Sequence, residues 1–222
     1  MVELEQTIAR IVAKRERAPA CRSLLVGLSG IDGSGKGYLT RQLVIALRGR
    51  GFSVTGLSAD DWAAAPDKRF DPNRPAEHFY EHGFRFEEMF RDLILPLKSQ
   101  RSRRLEALRS NESQSALHPH VFEFHDVDII LLEGIFLFKH EYREHFDLTI
   151  WVDCSFETAM ERAVQRAQEG LPPEETFRAY ENIFFPAQRL HFQRDGPRAV
   201  AHFIINNDQP ITATCAVTGN RR

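Results

Sequence analysis

The chain has 222 residues, 42% of them hydrophobic and 27% charged, with a formal net charge of -2. That length supplies one sizeable α/β core and is marginal for two, and a near-neutral charge sets up no field to gather DNA, RNA or an acidic membrane, so neither nucleic acid nor membrane is expected as a partner. Cys21, Cys154 and Cys215 lie far apart without CxxC spacing, which argues against a disulfide framework or a zinc site, and a charged N-terminus with no apolar run near the ~20 residues that cross a bilayer points to the cytoplasm.

Leu4, Ile8, Ile11 and Val12 recur at helical spacing and predict an amphipathic helix over 2–17, closed by Pro19. Ser23 to Leu28 is a short apolar run, as expected for a strand buried on both faces. A glycine-rich turn from Gly30 to Gly37 follows, and then Leu39, Leu43, Ala46 and Leu47 mark a helix that stops near Gly49 and Gly51. Phe52 to Ser58 reads as a second strand. Strand, glycine loop, helix, strand is a βαβ unit, and it implies a parallel sheet.

Asp67 to Pro75 is polar and proline-rich, hence a loop. Ala76 to Leu95 carries aromatics at helical spacing, and Lys98 to Ser115 is charged and weakly patterned, reading as a mobile helix or loop. Val127 to Phe138 contains a buried strand at Ile129 to Leu132, and Leu148 to Val152 is another. Ser155 caps the next helix, with Glu157 in its first turn. Gly170 to Pro173 breaks that helix, a further one runs from about Glu174 to Gln193, and Phe203 to Ile205 is a last strand. The tail 211–222 has little to bury and is a candidate for disorder. No repeat or linker divides the chain, so 1–222 reads as a single domain with its core at about 22–210.

Four features carry chemistry. Gly30-Ile31-Asp32-Gly33-Ser34-Gly35-Lys36-Gly37 matches the phosphate-loop pattern GxxxxGK, with glycine where Ser or Thr normally closes it. Glycines let backbone N–H groups converge on phosphate oxygens, the following helix presents its positive end, and Lys36 reaches the β- and γ-phosphates as a point charge. Gly30, Asp32, Gly33, Ser34, Gly35, Lys36, Gly37 and Tyr38 are therefore the nucleotide-binding candidates. Asp60, in Ser58-Ala59-Asp60-Asp61-Trp62, stands just past a strand end, where ligands of open parallel sheets bind and where a carboxylate can take a proton from a hydroxyl; a helix cap is the plainer reading. Glu133 ends the apolar strand Ile129 to Leu132, where many phosphate-loop proteins hold Mg²⁺ directly or through water. Arg162 and Arg166 sit at i,i+4 beside the break at Gly170, able to close on a transferred phosphate or simply to face solvent.

Together these pieces resemble the uridine kinase, phosphoribulokinase and pantothenate kinase group of P-loop kinases, from about Leu24 to Pro210. Asp60 matches that group's catalytic base, and Leu132-Glu133-Gly134-Ile135 its Glu-Gly-Ile. Phe146-Asp147-Leu148 through Val152-Asp153 resembles its Phe-Asp-x-x-Ile-Phe-Val-Asp strand, and Arg162 and Arg166 its lid arginines. Tyr180 to Gln188 and Phe203 to Asp208 resemble its closing helix and strand. The resemblance implies a P-loop NTPase fold, an α/β parallel sheet flanked by helices on both faces with a small lid. It also implies an ATP- and Mg²⁺-dependent transfer of phosphate to the hydroxyl of a small molecule, such as a nucleoside or a related alcohol or sugar. Asp60 and Glu133 would then stand at the metal, and a homo-oligomer is left open. The departures are Gly37, a lid at Gln168-Glu169-Gly170-Leu171-Pro172 poor in arginine, and no match to the nucleoside-holding Tyr-Asp-Phe between Leu105 and Phe124. The aromatic segment around His78, Phe79, Tyr80 and Phe84 reads equally as an acceptor pocket or as core. Gly37 and the thin lid also admit a nucleotide-binding sensor without catalysis.

Overall fold

A computed structural model describes residues 2–111, 114–166 and 171–208. The tail 211–222, lid residues Gln168 to Gly170 and Cys215 lie outside the described residues. Cys21 and Cys154 are free thiols.

Five parallel strands form the central sheet in the order β2-β5-β1-β6-β7, with β1 at Leu24–Gly30, β2 at Val54–Ser58, β5 at Ile129–Gly134, β6 at Leu148–Asp153 and β7 at Phe203–Asn206. The apolar runs form strands because helices cover both faces, so successive side chains enter different cores. Ile129 and Leu131 join one cluster with Leu24, Val26, Leu28 and Leu43, while Ile130 and Leu132 join the other with Leu25 and Trp151. Helix α1 (Val2–Arg17) and helix α2 (Lys36–Arg48) cover the first face. α1 buries the Ile8 and Ile11 of its predicted stripe, and α2 buries Leu43 and Leu47. Each such side chain contributes about 1.5–3 kcal/mol of burial.

On the other face lie short helices α3 (Pro66–Arg69) and α4 (Pro75–His82), a helical run α5 over 86–100, helix α6 (Phe156–Arg166) and a helical run α7 over 173–195. α5 and α7 each contain a widened π turn, Met89–Ile94 and Tyr180–Phe184, placed just before Pro96 and Pro186. A proline inside a helix lacks the N–H and crowds the preceding turn, and the wide turn absorbs both defects. Ser155 caps α6 as the sequence implies, its Oγ accepting from Thr158 N at 3.1 Å.

Three expectations need correction. The segment read as a mobile helix or loop from Lys98 to Ser115 completes α5 and then forms strand β3 (Arg103–Asn111), paired antiparallel with β4 (Gln114–Phe124) in a two-stranded ribbon. Its burial alternates: Leu105 and Ala107 pack on the core while Arg104, Glu106 and Leu108 face out. The charged outer face hid this period of two. The aromatic helix expected over Ala76 to Leu95 is broken at Gly83 to Arg85, where the chain runs extended against Trp62 to Ala64: Ala64 N donates to Gly83 O at 2.9 Å and Arg85 N to Trp62 O at 2.8 Å. The loop expected from Asp67 contains α3, which Pro66 opens from its N1 position.

Candidate active site

The phosphate loop joins β1 to α2. Its backbone makes the motif obligatory at two glycines. Gly33 has φ +76°, and a Cβ there would lie 2.5 Å from the carbonyl oxygen of Ala159; Gly35 has φ +89°, and a Cβ would meet Asn207 Nδ2 at 2.4 Å. Only glycine combines a left-handed φ with so close an approach. Gly35 is the N-cap of α2 and offers no capping side chain, so the first N–H groups of that helix are not satisfied by a side-chain cap. Lys36 is buried, its Nζ folded back to Ile31 O at 3.3 Å, and Ser34 Oγ is enclosed without a hydrogen-bond partner. Uncapped N–H groups, a buried ammonium and an orphaned hydroxyl facing one turn fit a polyphosphate. Tyr38 is not brought into this group: it stands on the outer face of α2, 64% exposed.

The acidic residues meet the loop through strand register. Ser58 at the end of β2 pairs with Glu133 at the end of β5, and Ser58 Oγ donates to Glu133 Oε1 at 2.6 Å. Glu133 in turn faces Gly37: a Cβ on Gly37 would sit 3.7 Å from Glu133 Oε1, an ordinary contact. The carboxylate, the Ser58 hydroxyl and the space beside Gly37 thus form one oxygen-rich corner that suits Mg²⁺. Ser58 was not among the candidates from sequence. Its position opposite Glu133 follows only from the β2–β5 pairing.

Asp60 and Asp61 lie in a single tight turn, Ala59–Trp62, capped by Ser58 Oγ, which accepts from Asp60 N at 3.3 Å. The cap of this turn is Ser58 and not Asp60, and the turn lies just past the end of β2. The two acids have different neighbours. Asp61 is paired with Arg109 of the ribbon, Nε to Oδ1 at 2.8 Å, and Trp62 stacks on Phe122 of the ribbon at 5.7 Å between centroids. Asp60 instead acts on Arg69 of α3, whose charge it stabilises against burial.

The two arginines of α6 grip the loop. Arg162 Nη1 donates to Gly33 O at 3.3 Å and Ser34 O at 3.5 Å, and its Nη2 donates to Asn207 O at 2.8 Å. Arg166 pairs with Asp32 at 3.4 Å, and Tyr180 Oη donates to the other Asp32 oxygen at 2.9 Å. Burial would raise the Asp32 pKa, but Lys36, Arg166, the Tyr180 hydroxyl and the Gly33 N–H together bring it below the ordinary carboxylate value. Asn207 completes the support by donating to Ser34 O at 2.7 Å. Tyr180 and Asn207 entered the sequence reading only as parts of a closing helix and strand; the structure shows that they touch the loop itself.

The aromatic segment divides. Phe79 and Tyr80 are core, packed on Phe136, with Phe79 also on Phe70 and Phe184. His78 lies at the surface, bonded to Lys68 O at 2.9 Å. Phe84 lines a cavity of about 450 Å³ with Arg85, Lys139 and Tyr142. Below it is a polar knot. Asp195 is only 3% exposed in its side chain and accepts from Tyr80 Oη at 2.6 Å, while His191 Nδ1 and His140 Nδ1 lie 2.6 and 2.8 Å from its oxygens. Lys139 lies over the Tyr80 ring, and burial pushes it down to about 8 despite Glu141, Asp195 and Glu81.

No protein-family model and no curated protein matches the chain. Solved structures do. A possible uridine kinase from Bacillus stearothermophilus superposes with a TM-score of 0.71 at 22% identity, over 91% of this chain and 99% of that one. A structure described as a fructose transport system kinase on similarity, from Silicibacter, gives 0.69 at 20%, over 91% and 98%. D-glycerate 3-kinase from Cryptococcus neoformans gives 0.65 at 13%, over 96% and 98%. The chain therefore has the fold of P-loop kinases. Among the described residues no helix is long and apolar enough to cross a membrane.

Proposed function

We propose that this protein is an ATP-dependent kinase that transfers the γ-phosphate to a hydroxyl of a small molecule. The observation that carries the reading is the convergence of three strand ends: β1 delivers the glycine loop and Lys36, β5 delivers Glu133 beside Gly37, and β2 delivers Ser58 and the turn holding Asp60. The structural neighbours are described as a possible uridine kinase, a fructose transport system kinase on similarity and a D-glycerate 3-kinase, and a small-molecule hydroxyl acceptor is in keeping with those descriptions.

In this reading Asp60 accepts the proton of the acceptor hydroxyl as its oxygen bonds to the γ-phosphorus. Lys36 leaves Ile31 O to take up the charge that gathers on the β–γ bridging oxygen as that bond breaks and ADP is released. Glu133 and Ser58 would hold Mg²⁺ directly or through water, and the ion would supply neutralisation of phosphate charge. Arg162 and Arg166, already bonded to the loop, would lend positive charge to the transferring group.

A coupled ADP-release assay over nucleosides, polyols, hydroxy acids and sugar phosphates tests this. Turnover with one acceptor, lost in Asp60→Asn, is the expected result. Tight nucleotide binding with no turnover on any acceptor would instead establish the sensor reading that Gly37 motivates.

A further inference from the structure

Lys139 takes no part in the phosphoryl transfer, yet it is a buried amine on the wall of the cavity of about 450 Å³, a volume ordinary for a small-molecule site. Among the described residues its Nζ donates to one acceptor, Tyr80 O, and forms no ion pair; it lies instead over the Tyr80 ring, 4.0 Å from the centroid. An ammonium has three N–H donors, and one acceptor is a poor match for them in a residue 8% exposed. Glu141, Asp195 and Glu81 favour a cation at this place, while Arg194 and burial oppose it. Burial prevails, so that roughly a tenth of these amines are neutral at pH 7, far more than for an ordinary lysine. A neutral amine that donates one N–H to Tyr80 O keeps its lone pair for a carbonyl carbon.

The rest of the wall says what could reach it. Glu88 is held by Arg85 at 2.9 Å and Arg91 by Asp92 at 2.6 Å, whereas Glu87 and Glu141 have no basic partner among the described residues. The excess of carboxylate repels an anion. Phe84 and Phe86, stacked at 5.1 Å, add apolar faces.

We infer that this cavity is a covalent site for an uncharged aldehyde, held on Lys139 as an iminium. The nitrogen pair forms a C–N bond to the carbonyl carbon as the carbonyl π electrons move to oxygen, which takes up a proton. That oxygen then leaves with a second proton as water, while nitrogen forms C=N and keeps one hydrogen. In sum, an ammonium and an aldehyde give an iminium and water, with no oxidant or reductant. The product suits the site better than the ammonium does: its single N–H is matched by Tyr80 O, and it retains the charge that the carboxylates favour. An amide also has one N–H but loses that charge. No lining residue belongs to the phosphate loop, Ser58, Asp60 or Glu133, so the inference does not rest on the kinase reading.

The chain has five lysines, Lys14, Lys36, Lys68, Lys98 and Lys139, so adducts are readily assigned. The full-length protein is incubated near neutral pH with glyceraldehyde and cyanoborohydride, which reduces an iminium to a stable amine, and the products are located by peptide mass mapping. Lys139 should be modified at least roughly 10-fold faster than Lys14 and Lys68, although those two are exposed and it is not. Glyceraldehyde 3-phosphate, the anionic twin, should modify Lys139 at least roughly 10-fold more slowly than glyceraldehyde does. Unfolding in urea should erase both preferences. Labelling in order of exposure, equal rates at Lys139 for the twins, or a Lys139 preference that survives urea each overturns the proposal. So does acylation of Lys139 by an uncharged ester in a protein that forms no aldehyde adduct there.

Discussion

The phosphate-loop side of the candidate site and the aromatic side, where an acceptor is proposed to bind, are made of different materials. On the phosphate side the backbone does the positioning: two glycines with positive φ, an uncapped helix start, and carbonyls of Gly33 and Ser34 held by Arg162 and Asn207. On the acceptor side the side chains do it: the Asp61–Arg109 pair, the Trp62–Phe122 stack, Phe79 among four other phenylalanines, and the Asp195 knot beneath. Backbone geometry tolerates almost no substitution but recurs wherever phosphate must be cradled. Side-chain packing can be rearranged, and it is where a fold acquires a particular acceptor. One scaffold can thus keep its nucleotide chemistry while its acceptor differs.

Mutation can break that contrast, and the largest effect is expected on the phosphate side. Lys36→Ala should lower kcat/KM by roughly 10³-fold and weaken ATP binding, since the loop loses its point charge. Wild-type turnover and ATP affinity in this variant would show that the loop does not cradle phosphate. Asp60→Asn should keep ATP binding and lower kcat by roughly 10²–10⁴-fold, the usual worth of a general base. Asp61→Asn should instead loosen the ribbon through Arg109 and affect acceptor KM more than kcat. A reversed ranking would move the base by one residue.

The acceptor side should respond in stability. Asp195→Asn leaves His191, His140 and Tyr80 without their shared carboxylate, and a loss of roughly 3–5 kcal/mol is expected in urea melts. Burial opposes ionisation of Asp195, but its bonds from His191, Tyr80 and His140 prevail and hold its pKa below the usual range. Its contribution is therefore present above pH ~4 and lost as pH falls further. Lys139 has the opposite dependence. Its folded pKa of about 8 lies below the ordinary 10.5, so between those values the unfolded chain binds more protons and stability rises with pH. Lys139→Met should abolish that rise and raise stability at pH 7. A flat wild-type profile from pH 8 to 10 would show that Lys139 is not desolvated.

The smallest expected effect sharpens the contrast at its border. Gly37→Ser places a hydroxyl next to Glu133 where a Cβ has ordinary room. Mg²⁺ keeps several waters in its octahedral shell, so the native glycine costs one replaceable ligand. Calorimetric titration should show Mg²⁺ affinity in the presence of ATP rising a few-fold. If it does not rise, or if ATP binds worse, the glycine serves close approach instead.

The contrast also explains what could be read in advance. The glycine loop, its flanking strand and helix, and the strand-end acid Glu133 were legible because each depends on residues close together in the chain: buried runs, a helical stripe, a motif whose spacing is its function. The β3–β4 ribbon was not, because half its residues face water and its pairing partner is the only thing that orders it. Nor was the break at Gly83 to Arg85, where helical spacing yields to hydrogen bonds with Trp62 and Ala64 from a different element. What the sequence by itself determined is the β1–loop–α2 unit and the identity of the groups that can meet phosphate, because local backbone sterics decide both. Only the tertiary structure decided that Ser58 meets Glu133 and that Arg162 and Asn207 brace the loop. Those relations arise when strand order brings together residues up to 173 positions apart, and no local preference encodes them.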